Sequence, residues 1–148
     1  MSTEENKAII RRMTEEFYNQ GNIESADQFF ADTYVHHDPA SPQVRDRGGL
    51  KETVRAFCTG CPDLHITIDD LVAEGDMVAK RWTYHATHTN DLGGMPPTGK
   101  RITMSGLELF RLANGKITEC WLGYDNLSMM QQLGVIPTPE HAQQQVGA

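Results

Sequence analysis

No stretch of the 148 residues approaches the roughly 20 consecutive apolar positions that a membrane-spanning helix needs, so no membrane partner is expected. Cations are few. The 13 Lys and Arg against 20 Asp and Glu leave a formal net charge of -7. Nucleic-acid binding relies on clustered Lys and Arg to displace counterions, and Arg11-Arg12 is too short a patch, so no nucleic-acid partner is expected either. Cysteine is scarce too: Cys58-x-x-Cys61 has no second pair to complete a zinc site. It falls at the end of a helical pattern and just before Pro62, which suits two small residues in a reducing compartment better than a redox dithiol. The first residues, Met1 to Lys7, are acidic and polar, the opposite of a secretory signal, so a cytoplasmic protein is expected. Phosphate-binding Gly-rich loops, a nucleophile elbow and an H-E-x-x-H helix are also missing.

What is present fits one domain over residues 1–148, with a core from about 5 to 135. Ser2-x-x-Glu5 has the form of a capping box, and Ile9, Met13 and Phe17 recur at helical spacing, so a helix is expected near 4–20, closed by Gly21. A short helix over 23–30 follows, then an extended stretch from Tyr34 to Asp38 that ends in a loop with Pro39 and Pro42. Leu50, Val54, Phe57 and Cys58 mark a third helix ending near Gly60. After Pro62 the period changes to that of strands: 64–73, 77–89, 100–112 and 116–124. Asn114-Gly115 is a strong type I′ hairpin signal. A last helix over 126–133 is capped by Asp125 or Asn126 and closed by Gly134, and the polar tail 139–148 is expected to fray. Helices first and an antiparallel meander second indicate an α+β layer fold.

With Asn114 and Gly115 as turn residues, Ala113 pairs with Lys116, Glu108 with Trp121, and Met104 with Asp125. Directly opposed residues share a face. One face then carries Ile102, Met104, Glu108, Phe110, Ile117, Glu119, Trp121 and Asp125, an apolar surface with three carboxylates set into it. The other carries Leu107, Leu109, Cys120, Leu122 and Tyr124 and could pack against another subunit. Desolvation in an apolar pocket pushes a carboxylic acid toward neutral pH, where it can both take and return a proton, which makes Asp125 and Glu108 candidates. Asp125 serves equally well as a helix cap. Trp82, Phe110 and Trp121 are candidate pocket walls. His85 and His88 point to opposite faces of a strand, as do His36 and His37, so a two-histidine metal clip is not expected. The more apolar parity of the long strand puts His88 on the pocket side, with His37 as second choice; each could also be a satisfied structural histidine. Nothing in sequence near Lys80 suggests a Schiff-base role.

The ordered series His37-Asp38-Pro39, Thr87-His88-Thr89, Pro96-Pro97-Thr98-Gly99-Lys100, Gly106-x-Glu108-x-Phe110-Arg111, Asn114-Gly115-Lys116-Ile117-x-Glu119-x-Trp121-x-x-x-Asp125 and Gln132-Leu133-Gly134 resembles that of the SnoaL-like polyketide cyclases, or ester cyclases. The resemblance implies a cone-shaped α+β barrel, with helices wrapped over a strongly curved antiparallel sheet around a pocket. It also implies intramolecular aldol-type ring closure of a small apolar carbonyl or ester compound, without metal or organic cofactor. By position in the motif, Asp125 takes the acid/base role, with His88 and Glu108 orienting it or the substrate. His37, Trp82, Met104, Phe110 and Trp121 would contact the substrate. Other cofactor-free chemistry, as an isomerase, dehydratase or hydrolase, fits the same pocket, as does a non-catalytic binding module. The resemblance, with the apolar Leu107, Leu109 and Leu122, also implies a homodimer through the outer sheet face.

Overall fold

In a computed structural model of the chain, which describes residues 1–138, the capping box forms as its sequence suggests. Ser2 Oγ accepts from the Glu5 amide and donates to the Glu5 carboxylate, opening helix α1 (Thr3–Met13). The helix continues as a wider π-helical segment, Thr14–Asn19, and Gly21, at φ 65°, turns the chain away. A 3₁₀ turn (Ile23–Ser25) and one turn of α2 (Ala26–Phe29) lead directly into a strand, β1 (Phe30–His37). Asp46 caps α3 (Arg47–Gly60) through the Gly49 amide. The strands β2 (His65–Glu74), β3 (Met77–Thr87), β4 (Arg101–Ala113) and β5 (Lys116–Tyr124) follow, then α4 (Asn126–Gln132). The tail expected to fray lies outside the described residues. No helix among the described residues is long and apolar enough to cross a membrane.

The five strands form one sheet in the order β1-β5-β4-β3-β2, open between its two edges, and the helices pack over its concave side. This is the cone-shaped α+β architecture, with one correction to the expected antiparallel sheet. The extended stretch around Tyr34 does end in the loop with Pro39 and Pro42, but it also joins the sheet, pairing with β5 in parallel, so the sheet is mixed. A parallel neighbour has no connecting turn to announce it in sequence.

The hairpin turn is formed by Asn114 and Gly115, both at positive φ (52° and 78°), as a type I′ turn requires. Ala113 pairs with Lys116 and Leu112 with Ile117, as the turn dictates. The register then slips by one. Thr118 is an extra residue on β5, so Arg111 faces Glu119, Phe110 faces Cys120, Leu109 faces Trp121 and Glu108 faces Leu122. Because side chains alternate, this β-bulge exchanges the two faces of β5 beyond it. Cys120, Leu122 and Tyr124 turn inward, while Glu119 and Trp121 turn outward, the reverse of the uninterrupted-hairpin expectation.

Two buried apolar clusters fill the concave side. One joins Ile10, Met13, Phe17, Phe30, Tyr34, Val78 and Phe110; the other joins Leu64, Ile66, Trp82, Tyr84, Met104 and Met129. Lys80 on β3 and Glu108 on β4 are direct cross-strand neighbours between the residues that supply the two clusters.

Candidate active site

A cavity of about 210 Å³ opens beside the second cluster. Its walls are mainly apolar, and the polar residues that line it, which come from separated parts of the chain, include Tyr18 from the π-helical segment, His36 and Asp38 from β1 and its end, and Glu108 from β4. Alternation along β1 explains the first pair. Tyr34, His36 and Asp38 are buried, while Val35 and His37 between them are exposed.

Behind the wall is a continuous polar chain. The Lys80 ammonium, fully buried, is 3.2 Å from Glu108 Oε1 and donates to Thr14 Oγ1 at 3.2 Å. It also lies over the rings of Tyr18 and Phe110, at 5.6 and 5.4 Å from their centroids. The π-helical widening begins at Thr14 and includes Tyr18, so one irregular turn of helix supplies both contacts. Glu108 Oε2 accepts from the Cys120 thiol at 3.4 Å, and the Tyr34 hydroxyl is 2.7 Å from His36 Nδ1. Burial of two charges is tolerated only when they are paired and hydrogen-bonded, as they are here.

This setting fixes protonation. Burial, reinforced by Glu108, pushes the Tyr18 phenol and the Cys120 thiol well up, and burial does the same to Tyr34. Burial pushes His36 down, although Glu108 and Asp38 favour its charged form. At neutral pH the ring is therefore neutral. Asp38 Oδ1 accepts from the Ala40 amide at 2.9 Å, and burial pushes the nearby Tyr124 phenol up. The Trp82 indole Nε1 is buried on the cavity wall with no hydrogen-bond partner among the described residues. Gly106 makes room for that indole, since a Cβ at 106 would fall 2.4 Å from Trp82 Cζ2.

The residues singled out from sequence are distributed as follows. Trp82, Met104 and Glu108 line the cavity. Phe110 is buried behind it, under the Lys80 ammonium. Asp125 caps α4 by accepting from the Ser128 amide at 2.9 Å and is exposed, although its neighbours Tyr124 and Asn126 both line the cavity. His88 is fully buried but off the cavity wall. Its Nδ1 meets the Thr98 hydroxyl at 3.1 Å and ties down the 89–99 loop, while Nε2 has no partner among the described residues. His37 and Trp121 stack on the outer face at 5.3 Å, and His37 Nε2 is 2.7 Å from Glu119 Oε2. The bulge is the physical reason that Trp121 faces away from the cavity. Among the described residues no three His, Cys, Asp or Glu side chains gather as a metal site would require.

Sequence reasoning missed His36, Asp38 and Lys80. The period-2 series Tyr34-x-His36-x-Asp38 was the available signal for the first two, and Lys80 shares the parity of Val78, Trp82 and Tyr84.

A curved α+β sheet around an apolar cavity with a few inward polar groups defines a small-molecule site. Residues 8–133 match the family model of the SnoaL-like polyketide cyclases, and the chain belongs to that family. It is 28% identical over 139 residues to the aklanonic acid methyl ester cyclase DauD of Streptomyces sp. strain C5, covering 89% of this chain and 84% of DauD. It is 29% identical to DnrD of Streptomyces peucetius, a cyclase of the same description, covering 89% and 93%. Among solved structures, a candidate polyketide cyclase from Acidithiobacillus ferrooxidans superposes with a TM-score of 0.79 at 36% identity, over 91% of this chain and 99% of that one.

Proposed function

We propose that the chain closes a ring in a small apolar ester or ketone by intramolecular aldol condensation, with no cofactor. The observation that carries this reading is the apolar cavity into which a neutral imidazole, His36, and two carboxylates, Asp38 and Glu108, converge. A methylene flanked by carbonyls is already acidic, and its enolate is delocalised by the substrate itself. The reaction transfers a proton from that carbon to a base, forms one C–C bond, converts a C=O into an alkoxide and returns a proton to it. The protein must therefore fold the substrate into a reactive shape and exchange one proton. In this reading Asp38 exchanges the proton, and Glu108 is held in place beside the cavity by Lys80.

The test is turnover of an aromatic polyketide methyl ester such as aklanonic acid methyl ester, followed by mass spectrometry. Asp38→Asn should cost on the order of 10²–10⁴-fold in turnover. Asp125→Asn should retain turnover, because Asn caps a helix as well as Asp does. If Asp125→Asn folds normally and abolishes turnover, the acid/base role belongs to Asp125, where the family motif would put it. Wild-type protein that binds the ester and forms no product overturns the reaction and leaves a binding module.

The same reading includes a homodimer through the outer face, supported by Leu107 and Leu109, 61% and 40% exposed, beside the His37–Trp121 stack. Leu122, expected to join them, lines the cavity instead. Sedimentation as a monomer at micromolar concentration overturns the dimer. A cytoplasmic setting is part of the proposal, supported by the free thiols of Cys58, Cys61 and Cys120.

A further inference from the structure

We infer that His36 meets its ligand as a hydrogen-bond donor through Nε2–H, that Tyr34 fixes this tautomer, and that the ligand atom received there is an acceptor oxygen. The inference rests on the proposed reading only in taking that oxygen to be the one on which charge develops.

The argument follows the protons. Tyr34 is 2% exposed and its hydroxyl lies 2.7 Å from His36 Nδ1. A phenol has one proton to give. Cys120 is the other group beside it, but that thiol already donates to Glu108 Oε2, and a thiol sulfur is a weak acceptor beside an imidazole nitrogen. The phenol proton therefore goes to Nδ1, and a neutral imidazole that accepts at Nδ1 carries its own proton on Nε2. The ring is neutral because it is buried. Tyr34 stays protonated because its own burial opposes ionisation.

The Nε2 end is left for the ligand. Among the described residues no protein group bonds it, and the ring forms part of the cavity wall. The Trp82 Nε1–H on the same wall is likewise without a partner. A ligand with carbonyl oxygens at these positions satisfies both groups, whereas an ammonium, which has donors only, at His36 would meet another donor. In ring closure the oxygen at His36 would be the carbonyl under attack. A neutral donor can stabilise the alkoxide as it forms, and it does so in a dry site where the interaction is strong.

The experiment uses the full chain labelled with ¹⁵N. Long-range ¹H–¹⁵N correlation through the ring protons identifies the protonated nitrogen of His36 at pH 7.5. The expected result is a protonated Nε2 and a bare Nδ1, with Tyr34→Phe losing that preference and giving a tautomer mixture. Addition of benzoylacetone, a neutral aryl diketone, should shift the His36 Nε2 resonance. A protonated Nδ1 with a bare Nε2 overturns the inference, and so does an Nε2 signal that ignores the diketone at saturation. In turnover, His36→Leu should lower kcat by about 10²–10³-fold, the range for removing one oxyanion donor. His36→Gln, which can present an N–H of its own, should recover part of the loss with KM little changed. Wild-type kcat in His36→Leu overturns the catalytic part. A chain that shows the tautomer and the diketone shift but closes no ring defeats the cyclase reading and leaves this inference standing.

Discussion

The two faces of the sheet carry nearly the same set of side chains with opposite fates. Inside are Lys80, Glu108, His36 and Tyr34; outside are Arg111, Glu119, His37 and Trp121. In β1 members of the two sets are next-door residues, His36 and His37, paired on β5 with the inward Cys120 and the outward Trp121. The outer set forms contacts that look as good on paper: His37 stacked on Trp121, Arg111 at 5.5 Å over the same ring, and Glu119 held by both His37 and Arg111. Yet Arg111 is 47% exposed and His37 43%, whereas Lys80 is wholly buried and Glu108 nearly so. Water screens the outer contacts and replaces any that break. Inside, a lost partner leaves a buried polar group without compensation, so each group constrains the next. Residue identity does not separate the two quartets; dryness does.

That contrast can be broken most directly at Lys80. Lys80→Met leaves the Glu108 carboxylate buried without its cation and should cost about 3–5 kcal/mol in urea unfolding, while Lys80→Met with Glu108→Leu should recover most of it. Equal damage in the single and double variants would show that packing, not charge, governs the inner quartet. Gly106→Ala comes next, because the new Cβ meets both the Trp82 ring and the Gly123 carbonyl, at 2.4 and 2.8 Å. A loss of about 1–3 kcal/mol is expected, with weaker ligand uptake measured by fluorescence of Trp82.

A pH series probes the inner histidine. Burial lowers the folded pKa of His36 below its unfolded value of about 6.5, so the unfolded chain binds more protons between the two values. Stability present above about pH 6.5 is therefore lost as pH falls through 6.5 toward the folded pKa, below which the loss is complete. Urea midpoints at pH 7.5 and 5.5 should fall less for His36→Gln than for wild type. An identical fall would remove His36 as a cause. The smallest effect is expected outside: Glu119→Ala should change stability by about 1 kcal/mol or less at ordinary salt. A loss as large as that of Lys80→Met would mean that the outer face is covered in solution.

Much of this architecture is written locally. The capping box, the helical periods, the Asn114-Gly115 turn and the alternation of β4 are each read within a few residues, and they place Met104, Glu108 and Phe110 on one face. What escaped is set at a distance. The partner of β1 lies more than 80 residues away and no turn links the two. The bulge at Thr118 follows a hairpin turn that, taken alone, predicts unbroken pairing, and so Trp121 and Glu119 were read on the wrong face. Lys80 has the parity of an inward residue, but without the β3–β4 register, hidden by a long loop, nothing tied it to Glu108. His36 and His37 are adjacent, and only the neighbouring strand decides which one faces in.

Thr118 thus acts as a phase shifter for everything downstream of it. Its hydroxyl donates to the Arg111 carbonyl, which anchors the displaced backbone where the slip occurs. The same residues paired without the bulge, with Thr118 opposite Arg111, would face Glu119 and Trp121 toward the ligand and turn Cys120 and Leu122 to solvent. On this scaffold, gain or loss of a bulge at the root of a hairpin can re-line a pocket wholesale, a route to new specificity that substitutions changing one wall residue at a time do not offer.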